Sequence, residues 1–273
     1  EVLEAMELAM AKDVEDLVPQ LVVRSTARSA SKQLQSLGPS AAPLLMKHMG
    51  QAKSLQAKFS LARVIAELKS PEVARLAAVE LKNPKLERNS RFAFEQIATS
   101  AGKAVLPVAH ELLKAESAVV RQSGLRLLLR HDSDSKAAQD VLVSALKDKD
   151  ASVRVLAAYT LSKKGNKAAV PVLIEGTRSK DVLSKQYGIF GLAAYKTRAS
   201  SDAIADAVLK SPQLGRLGIQ SLQKQGTADA ARALGRVLRE GTASNKATAQ
   251  LALRRMKVPE AKKVLEAAGK STD

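Results

Sequence analysis

The sequence of 273 residues predicts an all-α solenoid of about seven to eight stacked helical hairpins. Three observations lead to this fold class. Apolar residues follow the helical period through almost the whole chain. Positions that break helices recur at a spacing of roughly 32 residues, which is typical of repeat arrays. The segments that follow these breaks also resemble one another, so each is predicted to begin a copy of one structural unit.

The breaks are occupied by residues that end helices or begin turns. They are Gly38, Ser70, Gly102, Asp134, Gly165, Ala199, Gly226 and Val258. Glycine fills every second break in the sequence through Gly226, which suggests a pair of repeats as the ancestral unit. An arginine recurs as well, at Arg88, Arg121 and Arg154, and its spacing of about 33 residues indicates a shared structural position.

Residues 146–174 give the clearest copy of the unit. An Asp-rich turn with Asp148 and Asp150 precedes a Val-Arg pair, a helix with small residues, the break at Gly165 and a second apolar helix. This unit resembles the HEAT repeat, especially its short bacterial form, which bilin-lyase-type proteins share. The resemblance implies a right-handed superhelix with helix A of each hairpin on the convex side and helix B on the concave side. It also implies that Arg154 meets the turn aspartates.

Seven A/B helix pairs and a final helix are predicted in order along the chain. The pairs are residues 41–49 and 54–68, 71–82 and 85–99, 103–114 and 117–130, 135–147 and 151–163, 167–178 and 181–194, 200–209 and 212–223, and 227–240 and 242–256. The final helix spans residues 259–268, and residues 269–273 should fray. Residues 1–23 are expected to form an irregular N-terminal cap or a truncated repeat. No linker interrupts the pattern, so we expect one domain over residues 1–273.

Composition limits the kinds of site the chain can form. Hydrophobic residues make up 45%, enough for a continuous core, whereas aromatics make up 3% and tryptophan is absent. There is no cysteine, which excludes disulfides and thiolate metal sites. No apolar run is long enough to span a membrane. These features favour a cytoplasmic chain, while a start without methionine also allows a processed periplasmic or secreted one.

The formal net charge of +17 indicates an anionic partner. Acidic residues are missing from most predicted B helices and concentrate on A helices and turns. Those acids are Glu72, Glu80, Glu111, Asp140, Glu175, Asp202, Asp206, Asp229, Glu260 and Glu266. The HEAT resemblance then implies a basic concave surface. Part of the basic excess has a structural explanation, because lysine and arginine are favourable at helix C-termini.

Few residues are available for catalysis. The three histidines include one His-Glu dipeptide, His110-Glu111, whereas deoxyhypusine hydroxylases, which resemble HEAT proteins, build a di-iron site from several. Alkylpurine DNA glycosylases with a HEAT-like fold resemble the chain in size and charge, but their pocket relies on tryptophans. No phosphate-binding loop or nucleophile motif occurs. We therefore predict a chain that is not an enzyme and that holds no cofactor and no metal.

Two functions of different classes follow from the basic surface. The first is a binding scaffold that holds an acidic segment of a protein partner. The alternative is a protein that binds the phosphate backbone of duplex DNA, with a glycosylase as a third interpretation. Both functions use the same predicted binding residues. They are Arg28, Lys32, Arg63, Arg91, Arg126, Arg130, Lys163, Lys164, Arg254 and Arg255.

Overall fold

A computed structural model describes residues 2–270, with side chains described for residues 3–269. The described part is all-α: it contains helices and turns and no strand. The helices fall into two compact units, residues 1–138 and residues 139–273. The predicted fold class of stacked helical hairpins is confirmed. The assignment of residues 1–273 to one domain stays a prediction.

Eight complete helices lie within the described part of unit 1. Its helices are α1 (Val2–Leu17), α2 (Ala27–Ser36), α3 (Ala42–Gln51), α4 (Leu55–Glu67), α5 (Pro71–Leu81), α6 (Arg88–Thr99), α7 (Leu106–Leu112) and α8 (Ala118–His131). Short 3-10 segments at Val18–Val22, Pro39–Ala41 and Gly102–Val105 precede α2, α3 and α7. The B helices α2, α4, α6 and α8 pack on one another in order, and the A helices α3, α5 and α7 form a second layer.

Unit 2 repeats this two-layer arrangement. Helix α9 (Lys136–Ala145) begins just before it, and the helices that follow are α10 (Ala151–Ser162), α11 (Ala169–Thr177), α12 (Val182–Leu192), α13 (Arg198–Lys210), α14 (Gly215–Gln225), α15 (Ala228–Glu240), α16 (Ala243–Arg255) and α17 (Pro259–Lys270). The B helices α10, α12, α14 and α16 pack in succession, as do the A helices α11, α13, α15 and α17. Buried leucine, valine and alanine side chains fill the space between the layers.

The N-terminal segment differs from its predicted form. Helix α1 is continuous from Val2 to Leu17, and α2 supplies a B helix that the sequence pattern did not delimit. Two large apolar side chains of α1 are not buried: Met6 and Leu8 are 64% and 71% exposed. At the other end α17 continues to Lys270, beyond the predicted end of the last helix. The rest of the predicted frayed tail, residues 271–273, lies outside the described residues, as does residue 1.

The turns that follow the B helices are of two backbone types. The glycine breaks Gly38, Gly102, Gly165 and Gly226 all have positive φ, between 60° and 75°. Such backbone is accessible to glycine at little steric cost. The break before α5 reaches a similar conformation through Lys69, with φ of 48°. Turns with positive φ therefore alternate with other turns only from Gly102 onward, because Lys69 gives unit 1 three of them in succession.

His131, the last residue of α8, gives unit 1 a pH-dependent stability. Its Nε2 is buried without a hydrogen-bond partner, which no other described side-chain nitrogen or oxygen shows. Burial, and then the charge of Arg130, lowers the pKa of His131 below its usual 6.5. The folded state therefore binds this proton less readily than the unfolded state does.

We expect the free energy of unfolding to be highest above pH 6.5 and to fall as the pH drops below that value. Urea unfolding followed by circular dichroism between about pH 7.5 and 5.5 measures this slope. His131→Gln should flatten it, because the neutral amide has no proton to gain. An equally steep slope in the variant would show that other groups cause the loss.

Candidate binding surface

Basic residues recur at the fourth position of the B helices. The position is held by Lys58 in α4, Arg91 in α6, Arg121 in α8, Arg154 in α10, Lys185 in α12 and Lys246 in α16. Arg121 donates to the main-chain oxygens of Ala115 and Glu116 in the turn that precedes its helix. The arginines at this position therefore have a structural role, because they satisfy carbonyls of the preceding turn.

Arg154 shows how such a residue joins two elements. Its guanidinium donates to the main-chain oxygens of Asp148, at 2.8 Å, and Lys149, and it forms an ion pair with Glu175 at the end of α11. The family-derived expectation of an arginine that meets the Asp-rich turn is thus met through the backbone of Asp148. The ion pair with Glu175 was not predicted.

The prediction that Arg91 binds a partner is wrong. Arg91 is 5% exposed and donates to the carbonyl oxygens of Leu81, at 2.9 Å, and Asn83. Desolvation lowers the pKa of its guanidinium below the usual value, which reflects the cost of holding this charge inside the fold. Arg91 also corrects the predicted register, because it and not Arg88 is the counterpart of Arg121 and Arg154.

Arg126 is also engaged inside unit 1. It forms a bidentate pair with Glu95 of α6, with Nε to Oε2 at 2.8 Å and Nη2 to Oε1 at 2.7 Å. The side chain of Glu95 is 8% exposed and accepts a further bond from Ser123 at 2.6 Å. A charge-assisted bidentate pair of this kind holds the guanidinium in place. Arg126 is thus held by a contact inside unit 1, and its role in partner binding stays a prediction.

The other predicted residues of unit 1 are exposed. Arg28 and Lys32 lie one turn apart on α2, Arg63 lies on the neighbouring helix α4, and Arg130 lies at the end of α8. The structure thus brings Arg28, Lys32 and Arg63 to adjacent B helices. Their role in binding stays a prediction.

In unit 2 the predicted residues lie at the C-terminal ends of B helices. Lys163 and Lys164 follow α10, and Arg254 and Arg255 end α16. Between them, Lys196 follows α12 and Lys224 lies in the last turn of α14. Successive helices run in opposite directions, so the ends of α10, α12, α14 and α16 line one edge of the unit, spaced about 8–10 Å apart. We call Lys163, Lys164, Lys196, Lys224, Arg254 and Arg255, all exposed, the basic edge.

The acidic residues of unit 2 are absent from these four B helices and are largely paired in the A layer. Arg236 of α15 contacts Asp206 of α13 at 2.8 Å. Arg232 contacts Asp229 at 2.5 Å and Glu260 of α17 at 3.3 Å. Hydrogen bonds that the guanidinium groups donate to these carboxylates raise the pKa of both arginines above the usual value. Asp229 and Glu260, which lie in the first turns of α15 and α17, are therefore already paired with Arg232.

Charge is also divided unequally between the units. Unit 2 contains 24 Lys and Arg against 12 Asp and Glu, a formal charge of +12, whereas unit 1 contains 20 against 15, a charge of +5. The opposite edge of unit 2, where the A helices end, carries side chains of both charges. Its basic residues are Arg178, Lys180, Lys210 and Arg239, and its acidic residues include Asp181 and Glu240. The basic edge thus carries exposed basic side chains without interspersed acidic residues on its four B helices.

Sequence reasoning missed Lys196 and Lys224 as members of this edge. Both were assigned to helix C-termini, where a basic side chain interacts favourably with the last carbonyls. The signal that unites them with Lys163 is their common position at the ends of successive B helices. Each helix end considered alone in the sequence does not reveal that the ends of successive B helices line one edge.

Comparisons with known proteins agree with the repeat architecture. Residues 105–186 match the family described as HEAT repeats. The solved structure of the YibA protein of Escherichia coli is similar, with 17% identity and a TM-score of 0.52 over 89% of this chain and 92% of that one. An engineered protein is also similar, with 20% identity and a TM-score of 0.28 over 90% and 96%. No curated protein matches the sequence.

One similar structure corrects the prediction that the chain is not an enzyme. It is human deoxyhypusine hydroxylase in complex with glycerol, with 16% identity and a TM-score of 0.36 over 91% of this chain and 97% of that one. That protein is an enzyme. A likeness at this level assigns no catalytic residue here.

None of the described helices has the length and apolar character needed to cross a membrane.

Proposed function

We propose that this chain, an all-α array of HEAT-like repeats, is a protein-binding scaffold whose basic edge holds an acidic segment of its partner. HEAT repeats suggest protein interaction in general. The observation that carries the finer proposal is the absence of acidic residues from α10, α12, α14 and α16, together with the pairing of Asp229 and Glu260 by Arg232. A carboxylate-rich segment would therefore meet basic side chains on B helices that carry no acidic residue of their own.

The spacing of the edge supports an extended acidic segment. Helix ends about 8–10 Å apart match carboxylates on roughly every third residue of an extended chain, which rises about 3.3 Å per residue. Lys163 adds an anchor, because its Nζ lies 4.7 Å from the centroid of the Tyr159 ring, which restrains the side chain. Electrostatic complementarity of this kind gives selectivity and a fast association rate.

A titration with two probes tests the proposal. The first probe is a fluorescein-labelled peptide that carries a glutamate at every third position, and the second is a labelled duplex DNA of similar net charge. The variant replaces Lys163, Lys164, Arg254 and Arg255 with glutamine. The matched control replaces Arg178, Lys180, Lys210 and Arg239, four exposed basic residues of the opposite edge, with glutamine, so that both variants lose the same formal charge.

We expect the edge variant to lose at least tenfold in affinity for the peptide, because four exposed ion pairs of up to about 1 kcal/mol each are removed. The control variant should bind within about twofold of the wild type. Binding of the peptide should also weaken between about 50 and 200 mM salt. Equal losses in both variants would attribute binding to net charge alone and contradict the proposal. Tighter binding of the duplex than of the peptide would favour the nucleic-acid function instead.

A further inference from the structure

Unit 1 exposes a row of large apolar side chains on three consecutive B helices. Leu55 and Phe59 lie one turn apart on α4 and are 51% and 37% exposed, and Phe92 of α6 is 46% exposed. Val119, in the first turn of α8, is 40% exposed. We call these four residues the apolar strip. Because α4 packs on α6 and α6 packs on α8, the strip crosses one face of the B layer.

The two phenylalanines form the centre of the strip. Their ring centroids are 5.7 Å apart and the rings are nearly perpendicular, at 83°. Each occupies the fifth position of its helix, directly after the buried or structural basic residues Lys58 and Arg91. Since Lys58 and Arg91 are held by internal hydrogen bonds, the backbone that carries both rings is fixed. The edge-to-face pair is therefore a preorganised apolar surface that remains open to solvent.

Positive charge borders the strip. Arg63 follows Phe59 by four residues and Arg88 precedes Phe92 by four, so each arginine lies on the same helix face as its phenylalanine. Both arginines are exposed. The acidic residues closest to Phe92 in sequence are already paired, Glu87 with Lys58 and Glu95 with Arg126. Arg63 and Arg88 thus provide positive charge beside the two phenylalanines at the centre of the strip.

The dimensions fit a helix. Three B helices with interaxial distances of about 8–10 Å give a strip about 16–20 Å long. Three turns of an α-helix cover about 16 Å, and they place apolar residues at i, i+4, i+7 and i+11 along one face. Arg63 and Arg88 would then lie beside the flanks of that helix, where carboxylates complement them.

We propose that the apolar strip of unit 1 is a docking site for an amphipathic helix of a protein partner, with acidic residues along both borders of its apolar face. This site is separate from the basic edge of unit 2, and it does not depend on the function proposed for that edge. The proposal assigns a recognition role to Phe59 and Phe92. Phenylalanines that served only in packing would be expected to be buried.

A designed peptide of about five helical turns is the probe, with leucine and phenylalanine on one face and glutamate on its borders. A scrambled peptide of the same composition has no apolar face. Fluorescence anisotropy measures both against the wild type and against Phe59→Ala/Phe92→Ala. The matched control is Leu76→Ala/Val79→Ala, which removes two exposed apolar side chains from the A helix α5.

We expect the amphipathic peptide to bind at least tenfold more tightly than the scrambled one. Phe59→Ala/Phe92→Ala should remove that difference, whereas the control should retain it. A second variant, Leu55→Gln/Arg63→Gln, alters two exposed side chains without touching the aromatic pair and should weaken binding several-fold. It keeps the test decisive if the alanine variant fails to fold.

Equal affinity for the two peptides would overturn the proposal, as would wild-type binding by the folded alanine variant or by Leu55→Gln/Arg63→Gln. Sedimentation of the chain alone provides one further outcome. A dimer that dissociates in Phe59→Ala/Phe92→Ala would show that a second copy of the chain covers the strip, which also contradicts the amphipathic partner.

Discussion

Glu95→Gln should lower the free energy of unfolding by about 3–5 kcal/mol, the largest electrostatic effect we expect in this chain. Glu95 is the one carboxylate that Arg126 contacts with two hydrogen bonds and that Ser123 also contacts. Its charge also favours the ionised state of the buried Arg91. Glutamine keeps the size of the side chain but carries no charge. The guanidinium groups of Arg126 and Arg91 therefore lose the negative charge that compensates them.

Urea unfolding monitored by circular dichroism measures this loss. The control is Glu72→Gln, which removes the exposed pair between Glu72 and Arg75 at 3.6 Å and should change stability by less than about 0.5 kcal/mol. The double variant Glu95→Leu/Arg126→Met should recover part of the loss, because apolar replacements of a buried pair avoid an uncompensated charge. A stability equal to that of the wild type in Glu95→Gln would refute the role of this carboxylate.

Gly188→Ala should destabilise unit 2 by about 3 kcal/mol, the largest packing effect we expect. A Cβ at Gly188 of α12 would lie 2.7 Å from both the carbonyl oxygen of Leu173 and the main-chain nitrogen of Thr177 in α11. These are backbone atoms, so no side chain can rotate to make room. The helices of this hairpin must separate, which weakens the packing between α11 and α12.

Gly50→Ala is the matched control. Gly50 also lies inside a helix, α3, but no atom stands within 4 Å of the position that its Cβ would take. Alanine there should raise the free energy of unfolding by about 0.4–1 kcal/mol, because it restricts the unfolded chain and favours the helix. Thermal unfolding of both variants therefore gives shifts of opposite sign. Shifts of the same sign would show that close helix contact does not explain the glycine at position 188.

The helices were predictable because their signals are local. Predicted residues 227–240 and 242–256 correspond to Ala228–Glu240 and Ala243–Arg255. In both, a threonine at the N-cap accepts a hydrogen bond from the backbone three residues later, which is a signal that the sequence displays. The start of α14 was predicted three residues early, since Pro212 opens a 3-10 turn before the α-helix begins. A proline favours both kinds of start.

Whether an individual charged side chain is paired or exposed was harder to predict, because this depends on contacts between residues about 30 positions apart in sequence. Arg126 and Arg130 lie on one helix and look equivalent in sequence. Arg126 faces Glu95 of the preceding B helix, whereas Arg130 is exposed one turn later. Burial of Arg91 has the same origin, since its partners include Leu81 and Ser123 on two other helices. Sequence patterns place such residues on a helix face, and the neighbouring hairpin decides their role.

The alternation of turns in unit 2 has a consequence for how this part of the array can change in length. The turns with positive φ at Gly165 and Gly226 follow every second B helix of unit 2, so the period of the backbone there is two hairpins. Insertion or deletion of a two-hairpin block in unit 2 would bring each turn type next to its usual neighbour. Loss of a single hairpin would place two turns of one type in succession and would alter the geometry at the junction. Homologues that differ in the length of unit 2 should therefore differ by even numbers of hairpins.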